Sequence, residues 1–350
     1  MKTLIVQKDD VKSKKWREGA ASFGLDVIAQ KGSPIRGPLF LLKTVIHKKK
    51  PNGYVIRYLN DYPSFFKTII RTGSEIFLIT ACRLLQVKLF WICHNVDKET
   101  NRSYPTISNF RRKLVSRFCE RIFVTDALLK EKASRIFPKY KKKIDSISFG
   151  EIDIRNQGSG DNQSEWFIKE KKREAFEKGR RSISVLCAGT PNNPKYLHFE
   201  YLIEFMQRSR DVGYDIVAVV AGAWDSSKRS QDLLVDYKNH SNILVFEEYT
   251  TFSNLFIVNN IDCYFRGYDD YSVPFSVYEA CSLSKPVLAL DNDFLPALIR
   301  HYKIGQVIDM EFSNIEMILE RLLDLDQYEF KSFLEQNNWS VFAKRLLPLL

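Results

Sequence analysis

Short apolar runs alternate with longer stretches of helical spacing along this chain, and the alternation repeats from one end to the other. Lys2 to Gln7, Leu25 to Ala29, Tyr54 to Tyr58, Val87 to Cys93, Ile122 to Asp126 and Ile144 to Phe149 read as a first series of strands. The run VKLFWIC at 87–93 has no polar alternation, which suits a parallel strand buried on both faces. Helices are expected between them, over about Trp16 to Phe23, Phe65 to Leu85, the stretch after Ser108, and Ala127 to Phe137. Phe65 to Leu85 is apolar on more than one face and is expected to pack against the sheet. A second series follows, with strands at Ser184 to Ala188, Asp215 to Gly222, Asn242 to Phe246, Cys263 to Phe265 and Val287 to Leu290. Helical segments separate these too, and the last stretch, from Asn338-Trp339 through SVFAKRLLPLL, reads as a terminal helix. Strand and helix in strict turn predict an α/β protein with doubly wound parallel sheets.

A length of 350 residues with 45% apolar side chains supports two domains, each with its own core. Residues 156–163, NQGSGDNQ, are polar and Gly-rich, as a linker would be. The expected partition is 1–155 for a first domain, 156–181 for the linker and a charged helix, 182–336 for a second domain, and 337–350 for a terminal helix returning to the first. Six scattered cysteines, mostly inside apolar runs, read as buried thiols of a reducing compartment. The opening MKTLIVQKDD turns charged too soon for a signal peptide, and Ile69 to Leu85 is broken by Arg71, Glu75 and Arg83, so no membrane span is expected.

Charge changes the picture more. Residues 1–150 hold 31 Lys and Arg against 12 Asp and Glu, whereas residues 151–350 hold 22 against 30. A basic half joined to a mildly acidic half predicts that the first meets a polyanionic surface. Arg111, Arg112, Lys113 and Arg117, with Lys141 and Lys142, form the expected basic face. An anionic lipid surface accounts for it. Nucleic acid would give a similar composition, but neither an RNA-binding signature nor paired zinc ligands accompany it.

The richest chemistry lies in IDCYFRGYDDYSVPFSVYEACSLSKPVLALD, residues 261–291. A strand hands over at Arg266-Gly267 to a polar loop, Pro274 opens a helix bearing Glu279, and Lys285-Pro286 leads to the next strand. Strand ends and helix starts of parallel sheets hold anionic ligands. Arg266, the loop from Ser272 to Ser276 and Glu279 resemble the donor-binding segment of GT-B glycosyltransferases. Where many relatives carry a first glutamate eight positions earlier, this chain has Tyr271. The resemblance extends to Gly189-Thr190 after the strand at 184–188, with Lys195 as the diphosphate-gripping base, and to His94 after VKLFWIC. In an acceptor-side loop of that kind Asp97 or Glu99 is the candidate base, and His94 positions the sugar or the base. Asp291-Asn292-Asp293 spells the Asp-x-Asp of metal-dependent GT-A enzymes, but no acceptor domain follows it.

The resemblance implies two Rossmann-like doubly wound parallel-sheet domains facing a cleft, the GT-B fold. It implies a cytoplasmic enzyme, peripheral on the inner face of the membrane, that uses a nucleotide-sugar donor as substrate and needs no cofactor or metal. The implied acceptor is a lipid-linked or oligosaccharide glycan, in capsule, exopolysaccharide or O-antigen synthesis. A GT-B-fold nucleotide-sugar epimerase and a non-catalytic nucleic-acid-binding protein are the alternatives.

Overall fold

The computed structural model describes residues 1–47, 50–99, 102–191, 196–267, 270–292 and 294–350. The chain forms two compact units: Met1–Gly150 with Tyr271–Val273 and Asn337–Leu350, and Glu151–Asp270 with Pro274–Gln336.

The first unit runs β1 (Lys2–Val6), α1 (Val11–Ala21), β2 (Leu25–Ala29), α2 (Gly37–His47), β3 (Gly53–Ile56), α3 (Phe65–Leu84), β4 (Lys88–Cys93), α4 (Pro105–Phe118), β5 (Arg121–Val124), α5 (Leu129–Ile136) and β6 (Ile144–Ser146). Its strands are parallel, in the order β2-β1-β3-β4-β5-β6. The apolar run 89–93 is β4, buried between β3 and β5 as its lack of alternation requires. Helix α1 begins five residues before Trp16 because Asp10 caps it. The Asp10 carboxylate accepts from Ser13 N–H at 3.0 Å, and Ser13 Oγ accepts from Asp10 N–H at 2.9 Å, a reciprocal cap that makes the polar 11–15 stretch helical.

Helix α3 departs from expectation in the face it buries. Thr68, Arg71, Thr72 and Glu75 point inward beside Leu78, Ile79 and Cys82, while Phe65, Phe66, Ile69, Ile70, Ile76, Phe77 and Leu84 are exposed. Arg71 and Glu75 pair with each other, and Arg111 on α4, itself held by Asp61, also pairs with Glu75.

The second unit runs α6 (Asp161–Glu177), β7 (Arg181–Ala188), α7 (Tyr196–Asp211), β8 (Tyr214–Ala221), α8 (Lys228–Asn239), β9 (Ile243–Phe246), α9 (Asn254–Asn260), β10 (Cys263–Arg266), α10 (Phe275–Ser282), β11 (Val287–Leu290), α11 (Leu295–Tyr302), β12 (Gly305–Ile308), α12 (Ile315–Leu322) and α13 (Phe330–Gln336). The order is β12-β11-β10-β7-β8-β9, all parallel. Every residue of β8 is buried, and each fully buried Val or Ile contributes about 1.5–3 kcal/mol. The Gly-rich stretch 156–163, read as a linker, lies inside this unit: Gly160 N–H donates to Thr251 O, and the Asp161 carboxylate accepts from Ser253 N–H and Gly158 N–H.

Helix α14 (Ser340–Leu346) belongs to the first unit and packs on α1. Phe342 stacks on Trp16 with ring centroids 4.6 Å apart. A Cβ on Gly19 would stand 2.8 Å from the Trp339 backbone, so Gly19 allows this close contact. All six cysteines are free and buried.

Candidate active site

In the second unit the strand order reverses between β7 and β10, the place where open α/β sheets bind ligands beyond their strand ends. Both strands are followed by glycine, Gly189 and Gly267. Gly189 after β7 has φ +151°, and its carbonyl oxygen lies 1.6 Å from where a Cβ on Gly222, after β8, would be. The ends of β7 and β8 therefore pass with no room for a side chain between them. Arg266, at the end of β10, is buried and donates from Nη1 to Ala188 O at 2.6 Å, so it braces β10 against β7 and places a cation at the switch point.

His198 on α7 completes this corner, and nothing in the pattern of polar residues signalled it. It is fully buried and stacked on Phe265, with centroids 5.4 Å apart. Its Nδ1 accepts from Gly267 N–H at 2.7 Å, so its proton is on Nε2, 3.1 Å from Cys187 Sγ. The available signal was a histidine two places into a helix whose inward residues, Tyr196, Phe199 and Leu202, are otherwise aromatic or aliphatic. Burial pushes the Cys187 thiol up to about 12.

Glu279 on α10 is partly exposed and ion-paired with Arg155, not solvated alone. The first turn of α10 has Pro274 before it and no side-chain cap, and Val277 N–H donates to Pro274 O at 3.0 Å. Ser276 lies in this turn, half-buried like Thr190. Ser272 falls with Tyr271 and Val273 in the first unit, where Val96 N–H donates to Tyr271 O at 3.0 Å. Lys195 lies outside the described residues, as do Lys48, Lys49 and Asp293. Asp291, the first acid of the Asp-x-Asp, is paired with Arg300.

In the first unit the residues following β1, β3, β4 and β6 converge. His94 is half-buried and stacks on the rings of Tyr58, 4.5 Å away, and Phe149, 5.9 Å away, both nearly parallel to it. Burial, then the charges of Lys12, Arg57 and Lys8, hold its imidazole well below the usual range, so it is neutral. Its Nε2 is buried with no hydrogen-bond partner among the described residues. Around the stack, Arg57 pairs with Asp10 at 2.7 Å, and Lys12 Nζ stands 4.1 Å from the Phe149 ring centre. Burial chiefly, with Arg57 adding, brings Lys12 down to about 7.

The two candidate bases differ. Asp97 is a quarter exposed, with Oδ2 3.6 Å from Lys98 and a buried Oδ1 without a hydrogen-bond partner among the described residues. Glu99 is buried, its Oε1 on Arg112 at 2.8 Å and its Oε2 accepting from Leu59 N–H at 3.3 Å. Burial raises its carboxyl against the pull of Arg112. Glu99 is thus a structural carboxylate, and its candidacy as base is withdrawn.

The expected basic face is corrected too. Arg111 and Arg112 are buried because α4 turns the arc 108, 111, 112, 115, 116 inward. Arg111 bonds Glu75 and Asp61, and Arg112 bonds Glu99 and the carbonyls of Asn95 and Val96. Lys113, Arg117, Lys141 and Lys142 are exposed. Among the described residues, no helix is long and apolar enough to cross a membrane.

Residues 168–340 match the family described as Glycosyl transferases group 1. The catalytic domain of starch synthase IV from Arabidopsis thaliana, bound to ADP and acarbose, superposes with a TM-score of 0.64 at 10% identity, over 100% of this chain and 98% of that one. Sucrose-phosphate synthase from Thermosynechococcus elongatus gives 0.63 at 11%, over 100% and 98%. UDP-GlcNAc 2-epimerase from Methanocaldococcus jannaschii, in complex with UDP-GlcNAc and UDP, gives 0.54 at 13%, over 100% and 99%. No curated protein matches the chain in sequence.

Two Rossmann-like units built on six-stranded parallel sheets, shared with these structures, are the GT-B fold. With the sequence match over residues 168–340, the fold supports a nucleotide-sugar glycosyltransferase. Its segment 168–340 is similar to the group 1 glycosyl transferases.

Proposed function

We propose that the chain transfers a hexosyl group from a nucleoside-diphosphate sugar to a lipid-linked glycan acceptor at an anionic membrane surface. The acceptor fits the polyprenyl-diphosphate class used in capsule, exopolysaccharide or O-antigen assembly. The observation that carries the donor half is the switch point between β7 and β10, where Gly189 and Gly267 follow the strands and Arg266 lies buried, with the start of α10 and Glu279 on the next helix. The starch synthase and the epimerase hold ADP and UDP, which supports a nucleoside diphosphate here.

In this reading the diphosphate meets the positive N-terminal end of α10 and the charge of Arg266, with Lys195 as a further cation. Glu279 exchanges Arg155 for the ribose hydroxyls. The acceptor oxygen bonds to the anomeric carbon as the carbon–oxygen bond to the diphosphate breaks, and the electron pair leaves on the nucleotide. Asp97 takes the hydroxyl proton, because its Oδ1 is unengaged and Glu99 is held by Arg112. Neutral His94 hydrogen-bonds the reacting sugar through Nε2. The reaction calls for no metal or organic cofactor, since fixed cations and helix N–H groups neutralise the leaving group.

Thermal-shift titration with UDP, GDP, CDP and ADP tests the donor site. One of them should stabilise the chain, and Glu279→Ala should weaken that nucleotide about tenfold or more by deleting a charge-assisted bond pair. Stabilisation by none, or an unchanged shift in the variant, removes the assignment. The epimerase neighbours favour a second reading, isomerisation of the donor itself. Release of free nucleotide without any acceptor would favour it; release only with a lipid-linked glycan favours transfer.

A further inference from the structure

Helix α3 is amphipathic with its apolar side out. Phe66, Ile70, Phe77 and Leu84 form one exposed stripe along it, flanked by Phe65, Ile69 and Ile76. At 1.5 Å per residue, this stripe runs about 30 Å. Helices α2 and α4 pack on either side of α3 and extend the patch with Leu39 and Ile46 on one and Phe110 on the other. Apolar patches of this extent on a folded surface mark a binding face.

The charges on these three helices say what covers it. Lys43, Lys67, Arg83, Lys113 and Arg117 are exposed. The one carboxylate on α2, α3 and α4 is Glu75, which is buried. The face is therefore apolar in the middle, basic at its rim and free of exposed acid. A second copy of the chain would set two all-basic rims against each other. Insertion across a bilayer is excluded, because Arg71 and Glu75 line the opposite side of the same helix.

We infer that this side of the first unit docks on an anionic lipid bilayer, with α3 lying along the interface. Its Phe and Ile side chains enter the headgroup–acyl boundary while the rim lysines and arginines pair with lipid phosphates. The inference rests on the membrane-surface part of the reading above and deepens it. It moves the contact from Arg111 and Arg112, which are buried, to α3, whose apolar side had been expected in the core.

The full chain should co-sediment with vesicles of phosphatidylcholine and phosphatidylglycerol and not with phosphatidylcholine alone. Phe66→Ser/Ile70→Ser/Phe77→Ser should lower the partition coefficient at least about tenfold, because binding scales with the apolar area inserted. Lys43→Glu/Lys67→Glu should lower it about 25-fold or more, at about fivefold per basic residue removed. All five positions are exposed, so circular dichroism and the cooperative melt should match the parent. A parent that binds while the apolar variant binds equally well overturns the α3 assignment and leaves the membrane reading standing. A parent that binds no vesicle overturns both. A parent dimer that the apolar variant converts to monomer, with no vesicle bound, assigns the face to self-association and also overturns the inference.

Discussion

Replacing Glu75 with alanine tests why α3 turns its polar side inward. Glu75 is 3% exposed and serves two arginines. Its Oε1 accepts from Arg111 Nη2 at 2.6 Å and from Arg71 Nε at 3.1 Å, and its Oε2 accepts from Arg111 Nε at 2.7 Å. Asp61 holds Arg111 Nη1 at 2.9 Å but is also committed to Tyr104 N–H. Without Glu75, buried Arg71 loses its carboxylate and buried Arg111 keeps only Asp61, and neither guanidinium can shed its proton. Breaking such a pair from one side costs about 3–5 kcal/mol. For a folded unit of this size that is a fall in melting temperature of about 6–20 °C. Calorimetry on the parent and on Glu75→Ala reads it directly. The loss should be reduced in Glu75→Leu/Arg111→Met, since removing both charges leaves fewer unpaired ones than removing either. A Glu75→Ala melt within about 2 °C of the parent, the scale of a surface change, would refute the view that this network sets the orientation of α3.

Two further outcomes follow from particular atoms. Lys12 is held at about 7 against 10.5, so below pH 7 the folded state carries a disfavoured charge, and between 7 and 10.5 only the unfolded chain does. Stability therefore rises with pH across that window. Lys12→Met should be about 2 kcal/mol more stable than the parent in urea melts at pH 6, after discounting for partial solvation, and should lose more than half of that advantage by pH 9. Equal advantages at both values would contradict it. Gly222→Ala places a Cβ on the Gly189 carbonyl, so it should cost about 1–3 kcal/mol and abolish the nucleotide-induced thermal shift; an unaffected nucleotide shift would separate Gly189 from the donor site.

The parallel sheets were legible because fully buried runs such as LFWIC and IVAVVA leave no polar position to misread. The strand-end glycines and Glu279 were legible because the handover from strand to helix has its own composition. The network around Arg111 was not. Its members, Asp61, Arg71, Glu75 and Arg111, come from a loop and two helices, and each alone looks like an ordinary solvated charge. His198 was hidden for a related reason, since its partners are a backbone N–H and a thiol brought close only when β7 and β10 pair.

Helix α3 shows what periodicity leaves open. The spacing of its apolar residues defines a stripe, and hydrophobic burial alone would turn that stripe to the core. Four inward polar groups reverse the choice only because Arg111 and Asp61 lie where they can be satisfied, and a satisfied buried ion network carries no large desolvation deficit. The exposed stripe then keeps its cost in water until something apolar covers it. A helix that wins its inward face by ion pairs and leaves phenylalanine and isoleucine outside is oriented for a second burial step, away from its own sheet. The basic rim without exposed acid makes an anionic bilayer the surface on which that step is completed.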